Sequence, residues 1–359
     1  MFTTSVGVFV FGLLATIAGG AVGAAIGGNY AFVLTGFCVL ASWGVFAATG
    51  NTFGLDYLAF GPFMGPHIAF AGGVAAAIYA RYRGHLGDGR AVTTPLAGSG
   101  PPDILCVGAA FGIFGYLCQI GISNIPWFGK HTDPVALTVL LSGLLARLIF
   151  GGVPGKGLFH GSLHNPQLFH ENAPSFPAKL KPGTNGRWME SHEKPSQLLT
   201  IGSLFGIFAG GASLFLAANV GAYLTTRGLA NNLAAANANS FCFGISAVII
   251  LFLITNRNMP VQHHVTNIAG LAAVQFFPLL MGKTLTTYHW TYTSSWDSHT
   301  WGMATVALVI AAFFGVFTAG LGEFCARLWY NRGTSHIDPP AAAIWLGNTV
   351  VVSLATLFS

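Results

Sequence analysis

Residues 5–27 read SVGVFVFGLLATIAGGAVGAAIG, an apolar run without a single charge. About 20 such residues are needed for a helix to cross the hydrocarbon core of a bilayer. The run is longer than the hydrophobic stretch of a secretory signal, about 7–15 residues, and no basic cluster precedes it. It is therefore read as a retained membrane helix. Nine more apolar segments follow, at 30–50, 66–82, 104–123, 134–152, 199–225, 240–256, 262–282, 301–328 and 340–358. The third is the most interrupted, because Gly61-Pro62 and Gly65-Pro66 break the approach to it.

The composition of the whole chain agrees. Of 359 residues, 53% are hydrophobic and only 7% charged, against about 25% charged in ordinary soluble domains. Too few ionic groups are present to cover a soluble globule of this size. That excludes a soluble enzyme, a disordered chain and a water-exposed nucleic-acid binder. The five cysteines, Cys38, Cys106, Cys118, Cys242 and Cys325, all lie in apolar runs without metal-ligand spacing, so neither a disulfide frame nor a zinc site is expected. No cofactor-binding fingerprint appears.

The fold class expected is an all-α polytopic membrane protein of about ten transmembrane helices. Residues 153–198 hold six prolines and divide the apolar material into 1–152 and 199–359, with five segments in each. Cytoplasmic loops carry an excess of Lys and Arg. If both termini are outside, twelve of the fifteen bases fall on the cytoplasmic side, including those of the 153–198 linker. Only Lys130, Arg227 and Lys283 fall outside.

The two halves echo each other. His131-Thr132-Asp133-Pro134 opens the fifth segment and His336-Ile337-Asp338-Pro339 the tenth. His67 precedes Gly73 by six residues, as His264 precedes Gly270. A unit with an odd number of helices, repeated in tandem, is inverted in the membrane. Inverted repeats mark transporters, with the site near the midplane where the repeats meet. On helix count and these echoes the chain resembles the five-plus-five inverted-repeat architectures, such as the LeuT-type and urea transporters. No residue role is carried over from either.

Polar groups inside spans are functional candidates by default. Proline lacks a donor N–H and disfavours helix in the residue before it. The two Gly-Pro pairs therefore predict unwound backbone ahead of His67, with free N–H groups in the first turn that follows. Helix eight, from Gln262, is expected to supply the matching turn, and both helices are expected to be discontinuous. The expected solute contacts are His67, His264, Asn51, Gln262, Thr266 and Asn267. Glu323, an acid inside a span, is a candidate for coupling to an ion, or forms an interfacial pair with Arg327 one turn on. Asp133 and Asp338 read as helix N-caps ahead of proline, with a proton relay through His131 and His336 as the other reading.

The function expected is a membrane transporter or channel for a small polar solute, an anion or a neutral molecule, because acids are so scarce in the spans. The alternatives are a metal-dependent membrane enzyme using His160 and His164, and a structural subunit of a membrane complex. The partners expected are the solute, the lipid bilayer and further copies of the chain, not nucleic acid.

Overall fold

The computed structural model describes residues 6–151, 187–256, 258–331 and 333–358. Among these the chain is helical and has no strand. The helices are α1 (Val6–Ile26), α2 (Gly28–Thr49), α3 (Ala71–Tyr82), α4 (Asp103–Ser123), the short α5 (Phe128–His131) and α6 (Pro134–Ala146). Across the linker follow α7 (Pro195–Thr226), α8 (Leu233–Leu253), α9 (His263–Leu280), α10 (Ser298–Cys325) and α11 (Pro339–Leu357). Three of them continue into, or out of, wider π-type turns. Pro66–Phe70 leads into α3, Arg147–Gly151 extends α6, and Ala326–Tyr330 extends α10.

Eight of these helices, with their extensions, are long and apolar enough to cross a membrane. The protein is a multi-pass membrane protein on that ground. Among the described residues, many large apolar side chains on helix faces stay uncovered, such as Phe11, Leu204, Val309 and Phe313, each more than half exposed. Such surface suits a lipid solvent rather than water.

Helices α3 and α9 are not among the eight, and packing explains why. Most residues of each are buried. α3 is covered by α1, α2, α4 and α6, and α9 by α7, α8, α10 and α11. An inner helix of this kind can carry His, Thr and Asn without presenting them to lipid.

The packing depends on absent side chains. Gly20 of α1 and Gly108 of α4 bring their backbones together, and a methyl on Gly108 would come within 2.7 Å of the Gly20 carbonyl. Gly206 of α7 meets α10 in the same way, where a methyl would lie 2.8 Å from the Ala311 carbonyl. Small residues promote close helix approach in membranes, where lipid leaves little hydrophobic drive for association.

The break before α3 occurs where the Gly-Pro pairs predict it, with turn backbone between Phe60 and Gly65. Thr35 of α2 anchors it by donating to the Met64 carbonyl at 2.5 Å. The expected free first-turn donors are in part occupied, since the N–H groups of Ile68 and Ala69 both reach the Gly65 carbonyl. Helix α8 starts seven residues before the expected 240, at Leu233. Its polar first turns satisfy themselves, with Asn237 bonding the Leu233 carbonyl at 3.0 Å and Ser240 accepting from Trp43 Nε1 at 2.8 Å.

Candidate functional site

Two helices begin in the interior with the same local grammar. In α6, Pro134 takes the first helical position and Asp133 caps it, Oδ1 accepting from the Ala136 N–H at 2.9 Å. In α11, Pro339 and Pro340 follow Asp338, whose Oδ2 accepts from the Ala341 N–H at 2.8 Å. Both carboxylates line one cavity of about 210 Å³. Its walls include Phe32, Phe60, Phe70 and Phe243, and its polar side is completed by Asn239, Ser240, His263 and Asn267. Among the described residues, no Lys or Arg lines it.

This chamber adjoins a wider vestibule of about 900 Å³, and the two share Phe32, Phe70, His263 and Asp338. The vestibule is ionic. Asp88 and Arg90 pair across 2.9 Å, and Arg187 lies 3.4 Å from Glu190 and 3.1 Å from Glu193. Asp88, Arg90, Arg187 and Glu190 line it. Beside the junction, His336 Nε2 sits 3.2 Å from Asp338 Oδ1, with its ring edge-on to Tyr330 and Phe70.

His263 stands at the junction itself. It is 5% exposed, its ring lies 4.7 Å from that of Phe32, and Nδ1 has no hydrogen-bond partner among the described residues. One helical turn on, Asn267 accepts from Asn239 Nδ2 at 2.8 Å. The 263 and 267 positions share a helix face, so α9 presents both to the chamber.

The residues expected from sequence to form the site are divided by the structure. Asn267 lines the chamber. Gln262, His264 and Thr266 are fully buried beside it on the first turns of α9 but line neither cavity. Thr266 bonds Ser246 at 2.8 Å, while the side chains of Gln262 and His264 have no partner among the described residues. His67 is buried in the wide turn before α3 and also lines neither cavity. A methyl on Gly65 would come within 2.6 Å of its ring. Asn51 is exposed, and its Oδ1 accepts the Phe53 N–H in a local turn. Glu323 is buried on α10 and pairs with Arg327 Nε at 2.5 Å.

Of the two relay histidines, His131 stacks on Trp127 and bonds its carbonyl, away from the cavities, so only His336 touches its aspartate. Outside the spans, His192 packs against Trp188, and burial pushes its imidazole down to about 4. His160 and His164 lie outside the described residues. Among the described residues no three His, Cys, Asp or Glu side chains come together as a metal would require.

A model of a family of unknown function (DUF7973) matches residues 3–359, and the chain belongs to that family. No curated protein and no solved structure matches it.

Proposed function

We propose that the protein is a transporter or channel for a small polar solute, with the chamber between α6, α8, α9 and α11 as its site. The observation that carries this reading is a pair of adjoining cavities that share four lining residues. An ionic vestibule leads to an inner chamber on which the first turns of α6 and α11, one from each half of the chain, both open. Ligand sites are concave and largely apolar, with a few placed polar groups, and the chamber has that make-up.

The architecture proposed is two inverted five-helix repeats, 1–152 and 199–359, joined by a cytoplasmic linker. The packing supports it. α1, α3 and α4 pack together in the first half as α7, α9 and α10 do in the second. Across the halves, α2 meets α8 and α6 meets α11, so helices of matching rank pair. With both termini outside, the vestibule opens toward the cytoplasm. In this scheme Asn267 touches solute, Thr266 ties the start of α9 to Ser246, and Gln262 and His264 are buried without contributing a contact to the chamber. His67 fixes the turn before α3. Asn51 contributes no contact, and Glu323 is a candidate for coupling.

The test is a plug introduced after folding. Ala136→Cys, in a chain with Cys38, Cys106 and Cys118 replaced by Ser, places a thiol on the chamber wall. Proteoliposomes are screened by light scattering for entry of urea, acetate and methylammonium. Entry of a solute that is lost on thiol modification supports the reading. If no solute crosses faster than in empty liposomes, or modification leaves every flux unchanged, the reading is wrong.

A further inference from the structure

The lining of the inner chamber discriminates between solutes by charge. Among the described residues its ionisable acids are Asp133 and Asp338, and its lining holds no Lys or Arg to oppose them, the nearest imidazole to a carboxylate being His336, 3.2 Å from Asp338 Oδ1. The opposing charge comes from the backbone. Each carboxylate caps a helix whose N-terminus carries about half a positive charge. Two carboxylates against two such termini leave roughly one negative charge over the chamber. One monovalent cation balances it, whereas an anion would double it.

A second, independent feature points to a ligand. His263 is 5% exposed and lines the chamber, and its Nδ1 has no hydrogen-bond partner among the described residues. A buried polar atom left unpaired is costly, so a polar group arriving there is favoured.

The remaining walls select the kind of cation. A bare alkali ion or Ca²⁺ needs a shell of about six or more oxygens. Here the two aspartates already accept from Ala136 and Ala341, and the Asn267 oxygen is taken by Asn239. A transition metal lacks its ligand set, since no three ligating side chains converge among the described residues. Phe32, Phe60, Phe70 and Phe243 instead offer apolar and π surface. Aromatic faces attract organic ammonium groups, most strongly when desolvated. The space, about 210 Å³, is ample for a nitrogen bearing one to four small alkyl groups.

We infer that the inner chamber is a binding site for a small organic ammonium ion, with Asp133 and Asp338 as its charge partners and the phenylalanines as its walls. This rests on the reading of the chamber as a solute site and departs from the expectation from sequence, which favoured an anion or a neutral molecule over a cation.

The experiment uses the purified full chain in detergent, with methylammonium, tetramethylammonium, urea, acetate and Na⁺ as probes and calorimetric titration as readout. The ammonium ions should bind saturably, and urea, acetate and Na⁺ at least tenfold more weakly. Asp133→Asn and Asp338→Asn should each weaken ammonium binding tenfold or more while melting like the parent, because Asn caps a helix as well as Asp. Phe60→Leu, which leaves the charges in place, should weaken tetramethylammonium severalfold. The inference is overturned if no ammonium ion binds, if urea or acetate binds as well, or if both Asp→Asn variants fold and bind unchanged. The comparison among probes needs no variant, so a misfolded variant does not rescue it. Ammonium binding without flux in proteoliposomes would remove the transport reading alone. Flux of urea or acetate blocked by the plug, without ammonium binding, would remove the ammonium inference alone.

Discussion

Replacing Arg327 with Leu should cost the fold roughly 3–4 kcal/mol at pH 7, and replacing Glu323 with Leu as well should recover most of it. The Glu323 side chain is 7% exposed, Oε1 lies 2.5 Å from Arg327 Nε, and Oε2 has no partner among the described residues. The Arg327 side chain is 21% exposed. Removing the guanidinium strands a carboxylate in the interior, which generally costs about 3–5 kcal/mol. Proton uptake sets a ceiling. Neutralising a carboxyl of ordinary pKa, about 4.3, costs about 3.7 kcal/mol at pH 7 and about 1 kcal/mol at pH 5. The deficit should therefore shrink as pH falls. The double Leu variant buries neither charge and should lie within about 1 kcal/mol of the parent, since such swaps are often neutral. Denaturant titration in detergent micelles at pH 7 and pH 5 measures all three. The reasoning fails if the single variant loses under about 1 kcal/mol at pH 7, if its deficit is equal at pH 5, or if the double variant is no more stable than the single. The series also separates two roles of Glu323. A structural pair leaves solute uptake intact in the double variant, whereas a coupling carboxylate makes a stable protein that has lost pH-driven uptake.

Burial lowers His192 to about 4, so the folded state excludes a proton that the unfolded chain takes up near pH 6.5. Stability is then full above that value and falls as pH drops toward 4, by about 3 kcal/mol in all. His192→Phe should flatten that stretch of the stability profile, and an unchanged slope would locate it elsewhere. Gly108→Ala should cost about 1–3 kcal/mol through backbone overpacking, read as a lower melting midpoint. Gly44→Ala is the control and should be neutral or stabilising, because nothing lies within 4 Å of that position. Single cysteines at positions 175 and 294 should label from opposite sides of the membrane, with 175 cytoplasmic, and same-side labelling would end the inverted-repeat proposal.

The length of the apolar runs was a sufficient guide to where the helices lie, because a bilayer leaves few ways to satisfy a backbone. Helix forms at each of the ten expected positions. The error at the start of α8 arose because Asn237, Asn239 and Ser240 look like a loop, whereas each finds a partner inside the bundle. The site was less legible. The echo with His67 drew attention to His264, yet its neighbour His263 lines the chamber. Adjacent residues on a helix point about 100° apart, and symmetry of sequence does not say which one faces inward. The pairing of His263 with Asn267 at i, i+4 was the available signal. Asn51 was implicated by proximity to the Gly-Pro break, but short side chains near turns commonly serve their own backbone, as its bond to Phe53 shows.

The two aspartates carry a lesson about reading a capping residue as only structural. As a cap, Asp has no advantage over Asn. In the interior it carries a charge that is costly to desolvate unless something balances it. Helix termini supply part of that balance, about half a charge each, and among the described residues the lining of the chamber adds no Lys or Arg. Capping therefore accounts for a short polar side chain at positions 133 and 338 but not for a carboxylate at both. The excess charge is what the proposed ammonium ion would balance. In the proposed reading the folding signal H-x-D-P and the specificity of the site share the same side chains, with one oxygen of each carboxylate holding a helix start and the other oxygen of Asp338 beside His336 Nε2. Asp→Asn at either position separates the two roles, since it keeps the cap and removes the charge.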